Sequence, residues 1–366
     1  MTVRSLSFEG YRNLHPGQFE PEPGVNILTG ENGQGKTNLL EACWLFTGAR
    51  SFRGAKDSEL VGFDAEEAKL GLRFFAGGRE QEAAMSIKKR RSATLNGSPL
   101  SSPAKLSGVF CGVVFFPAHL SLVREGPEER RRFVDGAYCQ IKPAFVGILA
   151  DYQKILAQRN AFLKQKAESG VWNAGDEEML DLWDNSLAVS AAKVTVARRA
   201  YIKKLAPMAK EVYAGLSGDR ETMDIAWCSP VGDCAPAELA EAWLAELTKS
   251  RKLDKATGFT TAGPHRDDLS VLLDGHPAKV YGSQGQQRSA VLALKMAEAS
   301  LLQEVTDEPP VAFLDDVMSE LDVSRQDYIL NRIRDWQVFI TCCEPTAPLR
   351  LTAGKCFTIK QGVISE

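Results

Sequence analysis

The sequence lacks the cysteine spacings that mark a metal site or a disulfide framework. Its eight cysteines include no C-x-x-C pair. Cys342 and Cys343 are adjacent, and five residues stand between Cys228 and Cys234. Neither arrangement matches the ligand spacing of zinc sites. We therefore expect scattered, reduced thiols, as in a reducing compartment.

Long apolar runs are also missing. No segment approaches the roughly 18 apolar residues that a membrane-spanning helix needs. The N-terminus, MTVRSLSFEG, has no apolar signal-peptide core. These absences predict a cytoplasmic protein without a membrane partner. With 366 residues and 44% hydrophobic side chains, the chain is long enough for two or three lobes.

An excess of positive charge is absent too, because the formal net charge is −3. Sequence-independent, salt-sensitive DNA binding needs only a local basic patch. Two basic clusters offer one, and their members are Lys88, Lys89, Arg90, Arg91, Arg130, Arg131 and Arg132. The first cluster lies in a predicted hairpin, where it could equally discourage sheet-to-sheet pairing. The second could equally pair with Glu128 and Glu129.

One segment has the pattern of a nucleotide-binding phosphate loop. It fits G-x-x-x-x-G-K-[ST] at every fixed position, and its residues are Gly30, Glu31, Asn32, Gly33, Gln34, Gly35, Lys36 and Thr37. A short apolar strand precedes it and the helical run NLLEACWLF follows, as the motif requires. Glycines let backbone N–H groups close around phosphate oxygens, and the helix N-terminus favours the same anion. The sequence predicts ATP binding, with Lys36 at the phosphates and Thr37 on Mg²⁺.

A pair of adjacent acids far downstream supplies the second half of a site. The apolar run Val311–Leu314 leads into Asp315 and Asp316. Two neighbouring buried carboxylates are unfavourable without a cation, so the pattern indicates a metal nearby. We expect Asp315 to hold Mg²⁺, and Asp316 to orient or deprotonate the attacking water. A strand that simply ends in an acidic turn is the alternative interpretation.

The helix that begins at Ser283-Gln284-Gly285-Gln286 resembles, at its start, the signature motif of ABC-type ATPases. A hydroxyl, a glycine N–H and a helix N-terminus together favour an anion. In ABC ATPases this element binds the γ-phosphate of the ATP that the opposite subunit holds. The resemblance therefore implies nucleotide contacts from Ser283, Gly285 and Gln286. An ordinary helix cap at Ser283 is the alternative.

Two more segments extend the resemblance to ABC ATPases. Ser319–Asp322 looks like a D-loop beside the two acids, which implies a nucleotide contact from Asp322. The run QVFIT, ending at Thr341, is typical of a short buried strand. In ABC folds this strand leads to a histidine that senses the γ-phosphate, and Thr341 stands at that position. A hydroxyl can hydrogen-bond to phosphate but cannot take up charge, so we expect slow hydrolysis.

The two half-sites are far apart in sequence, since 279 residues separate Lys36 from Asp315. That distance predicts an α/β P-loop NTPase of the ABC/SMC-head type that is interrupted by an insertion. Residues 1–125 would form the first part of the ATPase lobe, with the phosphate loop and a β-rich subdomain. Residues 126–225 would form a helical insertion, and residues 226–366 the second part of the lobe.

The predicted insertion is a pair of antiparallel helices. One helix begins near Pro143 and ends near Lys166, and its apolar stripe is interrupted by Arg159. A turn, ESGVWNAGD, separates it from a second helix of about 36 residues, or roughly 54 Å. Pro207 should kink that helix. The pair could project as an arm or pack on the core as an ordinary helical subdomain.

An ATPase core split by a helical insertion resembles the SMC-like heads, and several stretches resemble the RecF family in particular. These stretches are Tyr11–Leu14, Ser51–Arg53, Glu128–Asp135, Gln158–Asn160, Leu163–Lys164 and Thr261–Asp268, which contains GPHRDD. The resemblance covers nearly the whole chain. It is broken at Phe116–Leu120, where many relatives carry acidic residues and where no Q-loop glutamine stands out.

The resemblance implies an ATP-dependent head-to-head dimer that binds double-stranded and single-stranded DNA and hydrolyses ATP weakly, with DNA stimulation. It implies a nucleotide contact from Arg12, and the partners RecO, RecR and RecA in recombinational repair, replication restart and the SOS response. Two alternatives share the phosphate loop: a small-molecule kinase, and the nucleotide-binding subunit of a transporter. The signature-like motif argues against the first, and the helical insertion against the second.

Overall fold

The computed structural model describes residues 1–343 and 354–366, without the side chain of Glu320. Within these ranges the α-helices are α1 (Lys36–Trp44), α2 (Ser121–Arg124), α3 (Pro127–Ile141), α4 (Ala144–Ser169), α5 (Ala174–Ser217), α6 (Leu239–Thr257), α7 (Ala278–Tyr281), α8 (Gln284–Thr306) and α9 (Val323–Arg332). Among these helices, none combines the length and the apolar character that crossing a bilayer requires.

The strands of the described residues form three sheets. They are β1 (Thr2–Glu9), β2 (Gly17–Phe19), β3 (Val25–Thr29), β4 (Ala68–Ala76), β5 (Arg79–Ile87), β6 (Arg91–Leu95), β7 (Ser98–Pro99), β8 (Gly112–Phe115), β9 (Met223–Cys228), β10 (Asp268–Leu273), β11 (His276–Pro277), β12 (Val311–Asp315), β13 (Val338–Cys342), β14 (Lys355–Lys360) and β15 (Val363–Ser365).

The chain divides into two compact units. The ATPase unit comprises Met1–Leu120, Met208–Thr222 and Gln284–Glu366, and the helical unit comprises Ser121–Pro207 and Met223–Ser283. These bounds differ from the predicted segments 126–225 and 226–366. The end of α5 belongs with the ATPase residues, and β9, α6, β10 and β11 belong with the helical ones.

A six-stranded sheet forms the centre of the ATPase unit, in the order β15-β14-β3-β13-β12-β8. All neighbouring strands are parallel except β14 and β15. Strands β8, β12 and β13 are buried along their whole length, as their continuous apolar runs predict for a sheet covered on both faces. The register aligns Asp315 with Thr341 and Thr341 with Leu28. The carboxyl ends of β3, β12 and β13 therefore meet at one edge.

The β-rich part of the ATPase unit is an antiparallel sheet in the order β2-β1-β4-β5-β6-β7. Burial alternates along β4, as expected for a sheet with one face on a core. Asn96 and Gly97 have positive φ in the turn from β6 to β7, so the predicted tight turn is confirmed. Side chains from β1, β4, β5 and α1 share one apolar core with those of β3 and β12.

The helical unit combines α3, α4, α6 and most of α5 with the sheet β11-β10-β9. The predicted helices are confirmed: α4 ends at Gly170, which has φ 68°, and α5 runs for 44 residues with Pro207 inside it. Arg159, which interrupts the apolar stripe of α4, is fully buried. It donates to Asp184 of α5 at 2.7 Å and to Asp254 of α6 at 2.8 Å. One buried arginine with two carboxylate partners therefore links α4, α5 and α6.

Candidate nucleotide-binding site

The predicted phosphate loop connects β3 to α1, so its context of strand, loop and helix is confirmed. Gly30, Gly33 and Gly35 have φ values of 148°, 81° and 117°, which side-chain-bearing residues rarely adopt. A Cβ on Gly30 would stand 2.3 Å from the carbonyl oxygen of Ile359. The loop can take this path only because glycine occupies these positions.

Lys36 begins α1 and points back into the loop. Its Nζ donates to the carbonyl oxygens of Gly30 at 2.6 Å and Glu31 at 3.0 Å, and only 4% of the residue is exposed. The sulfur of Cys343 lies 3.9 Å from the same nitrogen. The lysine charge is thus held by neutral groups in the loop, where an incoming phosphate can replace them.

Asp315 ends β12 beside the phosphate loop. Its Oδ1 accepts hydrogen bonds from Thr37 at 2.9 Å and from Thr341 at 2.8 Å. Burial raises the pKa of Asp315, while the two hydroxyls and the nearby charge of Arg53 lower it. A buried carboxylate with a neighbouring hydroxyl is the oxygen ligand set that Mg²⁺ prefers. The residues present therefore fit a magnesium nucleotide.

Asp316 follows with a left-handed backbone, at φ 53°. Its N–H donates to the Thr341 hydroxyl at 2.9 Å, and its carbonyl accepts from Ser319 at 2.9 Å. Such a conformation is unfavourable for a non-glycine residue and persists where the surroundings hold it, often at functional sites. Thr341, expected to sense the γ-phosphate, instead uses its hydroxyl to join the two acids.

The middle of the phosphate loop, at Gly33 and Gln34, is held by residues that lie outside the phosphate-loop motif. Asn13 donates from its amide to the carbonyl of Gly33 at 2.9 Å. From the turn between β14 and β15, Gly362 N–H donates to the carbonyl of Gln34 at 2.9 Å, and Gln361 N–H donates to its side chain at 2.5 Å. The two contacts of Gln34 join residues more than 300 positions apart, so only the asparagine in YRNL gave a sequence signal.

Arg12, for which the family resemblance implies a nucleotide contact, also bonds to residues of the protein. Its guanidinium donates to the buried carboxylate of Glu41 at 3.0 Å and to the carbonyl of Glu59 at 3.0 Å. The Tyr11 hydroxyl donates to the same Glu41 carboxylate at 3.0 Å, as does Ser51. A buried carboxylate needs such donors, which explains why Arg12 is held at α1. It supports the helix that follows the loop.

The signature-like residues lie at the start of α8. Ser283 is exposed and directly precedes the helix, while Gly285 and Gln286 form its first turn. The Gln286 amide donates to the carboxylate of Glu221 at 2.9 Å. Asp322, predicted to contact the nucleotide, caps the N-terminus of α9. Its carboxylate accepts hydrogen bonds from the Arg325 N–H at 3.0 Å and from the Arg325 guanidinium at 2.6 Å.

The first basic cluster is only partly available for DNA. Lys88, Lys89 and Arg90 are exposed in the turn between β5 and β6, with Lys88 3.6 Å from Glu67. Arg91 is withdrawn, because it pairs with Asp57 at 2.9 Å and its side chain is 8% exposed.

The second cluster is mostly engaged within the helical unit. Arg130 is buried and donates to both carboxylate oxygens of Asp268, at 2.6 and 2.8 Å. Arg131 donates to the Asp267 carbonyl at 2.7 Å. Arg132 is exposed and pairs with Glu128 and Glu129 on its own helix, as the alternative interpretation had it. Arg130 is therefore a structural residue, and its assignment as a DNA contact is withdrawn.

Comparison with known families and proteins gives one consistent result. The model of the family described as "RecF/RecN/SMC N terminal domain" matches residues 2–352. A DNA replication and repair protein RecF from Ruminiclostridium cellulolyticum is 39% identical over 348 residues, covering 93% of this chain and 92% of the relative. The RecF of Heliobacterium modesticaldum is 37% identical, covering 100% and 99%.

Solved structures give the same picture. A structure of the recombination mediator protein RecF with ATPrS, described as part of the RecFOR pathway, superposes with a TM-score of 0.91 at 35% identity, covering 99% of this chain and 97% of that one. An Smc head bound to the C-terminal winged-helix domain of ScpA superposes with a TM-score of 0.56 at 13% identity, covering 100% and 96%. The second likeness shows the ABC/SMC-head fold alone.

Proposed function

Because the chain belongs to the RecF family of DNA replication and repair proteins, we propose that it is an ATP-gated DNA clamp of recombinational repair and replication restart. In this role it binds Mg–ATP, dimerises head to head on DNA in the cytoplasm and hydrolyses ATP slowly. The family membership makes it a P-loop ATPase of the ABC/SMC type that acts in DNA repair. Dimerisation, slow DNA-stimulated hydrolysis and RecA loading are the finer parts of the proposal.

The observation that carries the proposal is the meeting of Thr37 and Asp315. Their side chains are 278 residues apart in sequence and 2.9 Å apart in space. Thr37 and Asp315 would hold Mg²⁺, which supplies positive charge to the phosphates of bound ATP. Lys36 would exchange its loop carbonyls for phosphate oxygens. The backbone N–H groups of residues 30–37 would surround the same phosphates.

Asp316 is the candidate base for water attack. Its backbone is held on both sides, by Thr341 and Ser319, which directs its side chain. Thr341 cannot accept a proton in the way that a histidine can, so it offers only a neutral hydrogen bond. This difference supports slow hydrolysis, which would limit how long the ATP-bound dimer lasts.

The remaining nucleotide contacts come from the opposite subunit in this proposal. Ser283 and Gly285 would close over the γ-phosphate of the partner's ATP, since both lie at the N-terminus of the long helix α8. Loss of the γ-phosphate would then open the dimer. DNA, double-stranded or single-stranded, would be bound through phosphate contacts, with Lys89 and Arg90 as exposed candidates. RecO, RecR and RecA are the proposed partners by family membership.

The test is the solution mass of the protein without nucleotide, with ADP and with ATP, each with and without DNA. The Asp316→Asn variant slows hydrolysis during the measurement. We expect the mass to double only with ATP, and DNA to strengthen the dimer. Lys36→Ala should lose nucleotide binding, whereas Ser283→Ala should bind ATP and remain monomeric. A protein that binds ATP but stays monomeric under every condition would contradict the clamp and favour a small-molecule kinase.

A further inference from the structure

Glu221 connects the end of α5 to the first turn of α8. One carboxylate oxygen accepts the Gln286 amide at 2.9 Å, and the other accepts the hydroxyl of Tyr213 at 2.6 Å. The carbonyl of Glu221 also accepts from Ser217 at 3.3 Å. A carboxylate that receives two side-chain donors fixes both, because hydrogen bonds to a charged group are stronger than those between neutral groups. Gln286 belongs to the signature-like turn.

The same stretch of chain contacts α9, the helix that follows the D-loop-like segment. Gly215 packs so closely on Tyr328 that an added Cβ would stand 2.5 Å from its ring. Arg332 donates to Glu211 at 3.2 Å. At the other end of α9, Gln326 donates to the carbonyl of Leu321 at 3.1 Å, and to that of Met318 at 2.6 Å, and so ties the D-loop-like segment to the helix.

We propose that residues 211–221 position the signature-like turn and the D-loop-like segment relative to each other, with Glu221 as the positioning residue. The inference rests on the proposed function, in which the signature-like turn closes over the ATP of the opposite subunit. Two subunits can close over two nucleotides only if these elements are presented at the correct spacing, and small misplacements are costly in such sites. Glu221 itself would touch no nucleotide.

The test compares Glu221→Ala with Glu221→Gln and Tyr213→Phe, each in the Asp316→Asn background. The measured quantities are the dimer dissociation constant with ATP and the ATP dissociation constant of the monomer. Glu221→Ala should weaken the dimer by about tenfold, the size expected for losing a hydrogen bond to a charged group. ATP binding by the monomer should stay unchanged, since residues 30–37 are untouched. A defect in folding alone would impair both constants.

The conservative variants make the assignment specific. Glu221→Gln keeps an oxygen for Gln286 and should restore dimerisation to within about twofold, as the hydrogen bond is retained. Tyr213→Phe keeps the bond to Gln286 and should likewise dimerise normally. Gln286→Ala removes the same bond together with the predicted nucleotide contact of Gln286, so it should weaken the dimer at least as much as Glu221→Ala, and the double variant should be no worse than Gln286→Ala. Gln286→Ala also serves as the test variant if Glu221→Ala fails to fold.

Two results would overturn the inference in distinguishable ways. If the Asp316→Asn protein dimerises with ATP and Glu221→Ala dimerises equally tightly, the positioning role is wrong and the clamp stands. If the Asp316→Asn protein stays monomeric with ATP, the proposed function and this inference fail together.

Discussion

The phosphate-loop site of the ATPase unit and the helical unit both bury charged side chains, but they surround them with different partners. In the ATPase unit, Asp315 accepts from two hydroxyls and Lys36 donates to two backbone carbonyls. In the helical unit, Arg159 lies against two carboxylates, and Arg198 donates twice to Asp135 at 2.8 and 2.9 Å. Charges with neutral partners remain available to an oppositely charged ligand. Charges with opposite partners are already neutralised.

The GPHRDD stretch, one of the segments that resemble the RecF family, is held in the helical unit by both neutral and charged partners. His265 contacts the Tyr152 hydroxyl at 2.6 Å and the Thr260 carbonyl at 3.1 Å. Asp267 accepts from the Trp227 ring at 3.1 Å, and Asp268 pairs with Arg130. Every one of these contacts is internal to the helical unit. A distinctive sequence can thus mark a fold's internal support and leave the chemistry to another region.

The largest effect that would sharpen this comparison is the loss of Arg159. Arg159→Ala leaves Asp254 buried without its cation and Asp184 with only Arg251, so we expect the free energy of unfolding to fall by about 3–5 kcal/mol. Urea denaturation measures it. The control is Lys164→Ala, since Lys164 pairs with Glu168 on the surface at 3.9 Å. That variant should stay within about 0.5 kcal/mol of the wild type. Equal losses would contradict the stabilising role of Arg159.

The second effect is a loss of stability in acid that depends on His265. Burial lowers the pKa of His265 to about 4, whereas the unfolded chain keeps a pKa near about 6.5. The unfolded state therefore binds the extra proton between these values, and stability falls as the pH falls. From pH 7 to pH 5 the contribution is about 2 kcal/mol. His265→Gln should show a shallower loss over this range in denaturation curves, and an identical slope would exclude His265 as the cause.

A third, smaller effect tests whether the turn beside the phosphate loop supports nucleotide binding. Gly362 and Gly97 both have φ 77° in tight turns. A Cβ on Gly362 would stand 2.0 Å from the Asn13 carbonyl, but nothing lies within 4 Å of one on Gly97. Both alanine variants should lose about 1 kcal/mol of stability through backbone strain, and Gly362→Ala should lose more because its Cβ collides with the Asn13 carbonyl.

Only Gly362→Ala should also weaken ATP binding, by about tenfold, because a displaced turn no longer holds Gln34. Fluorescent-nucleotide titration of both variants separates the two effects. If Gly97→Ala weakens ATP binding equally, the effect is general destabilisation and the turn has no special role.

The smallest expected effect on stability is that of Asp315→Asn, with the same chemical change at Asp184 of the helical unit as its comparison. Burial raises the pKa of Asp315, so its charged form is less favourable in the folded state than in the unfolded state. Asp315→Asn should leave the unfolding free energy unchanged or raise it by up to about 1 kcal/mol, while Mg–ATP binding weakens. Asp184→Asn should instead lower it by about 2 kcal/mol or more, since Asp184 pairs with Arg159 and Arg251. Losses of equal size would remove the distinction between the units.

Much of the fold was predictable because its signals are local. The phosphate loop is a contiguous motif, the acids of β12 end an apolar run, and α4 and α5 follow helical periodicity. The family resemblance joined these pieces into an ABC/SMC-type head, which the comparisons confirm. The positions of individual site residues, apart from the loop itself, were less predictable.

The rest depends on contacts between distant residues. The sequence around Arg159 shows only a break in an apolar stripe. Its two ion pairs could not be predicted, because the partners lie on two other helices. Glu221 and Gln361 lie in no recognisable motif. Each acquires its role only because the fold brings it into contact with a distant residue, Gln286 for Glu221 and Gln34 for Gln361. The compact units differ from the predicted segments for the same reason: β10 pairs with β9 across about 40 residues of intervening chain that includes α6.

The most direct test of the account is backbone hydrogen exchange with and without Mg–ATP, on the Asp316→Asn protein below the dimerisation concentration. We predict that Mg–ATP slows exchange in residues 30–43 and 311–316, and leaves residues 152–160 and 254–268 of the helical unit unchanged. Protection concentrated in the helical unit, with the phosphate loop unaffected, would contradict the claim that the charged groups of the ATPase unit are held ready for the nucleotide.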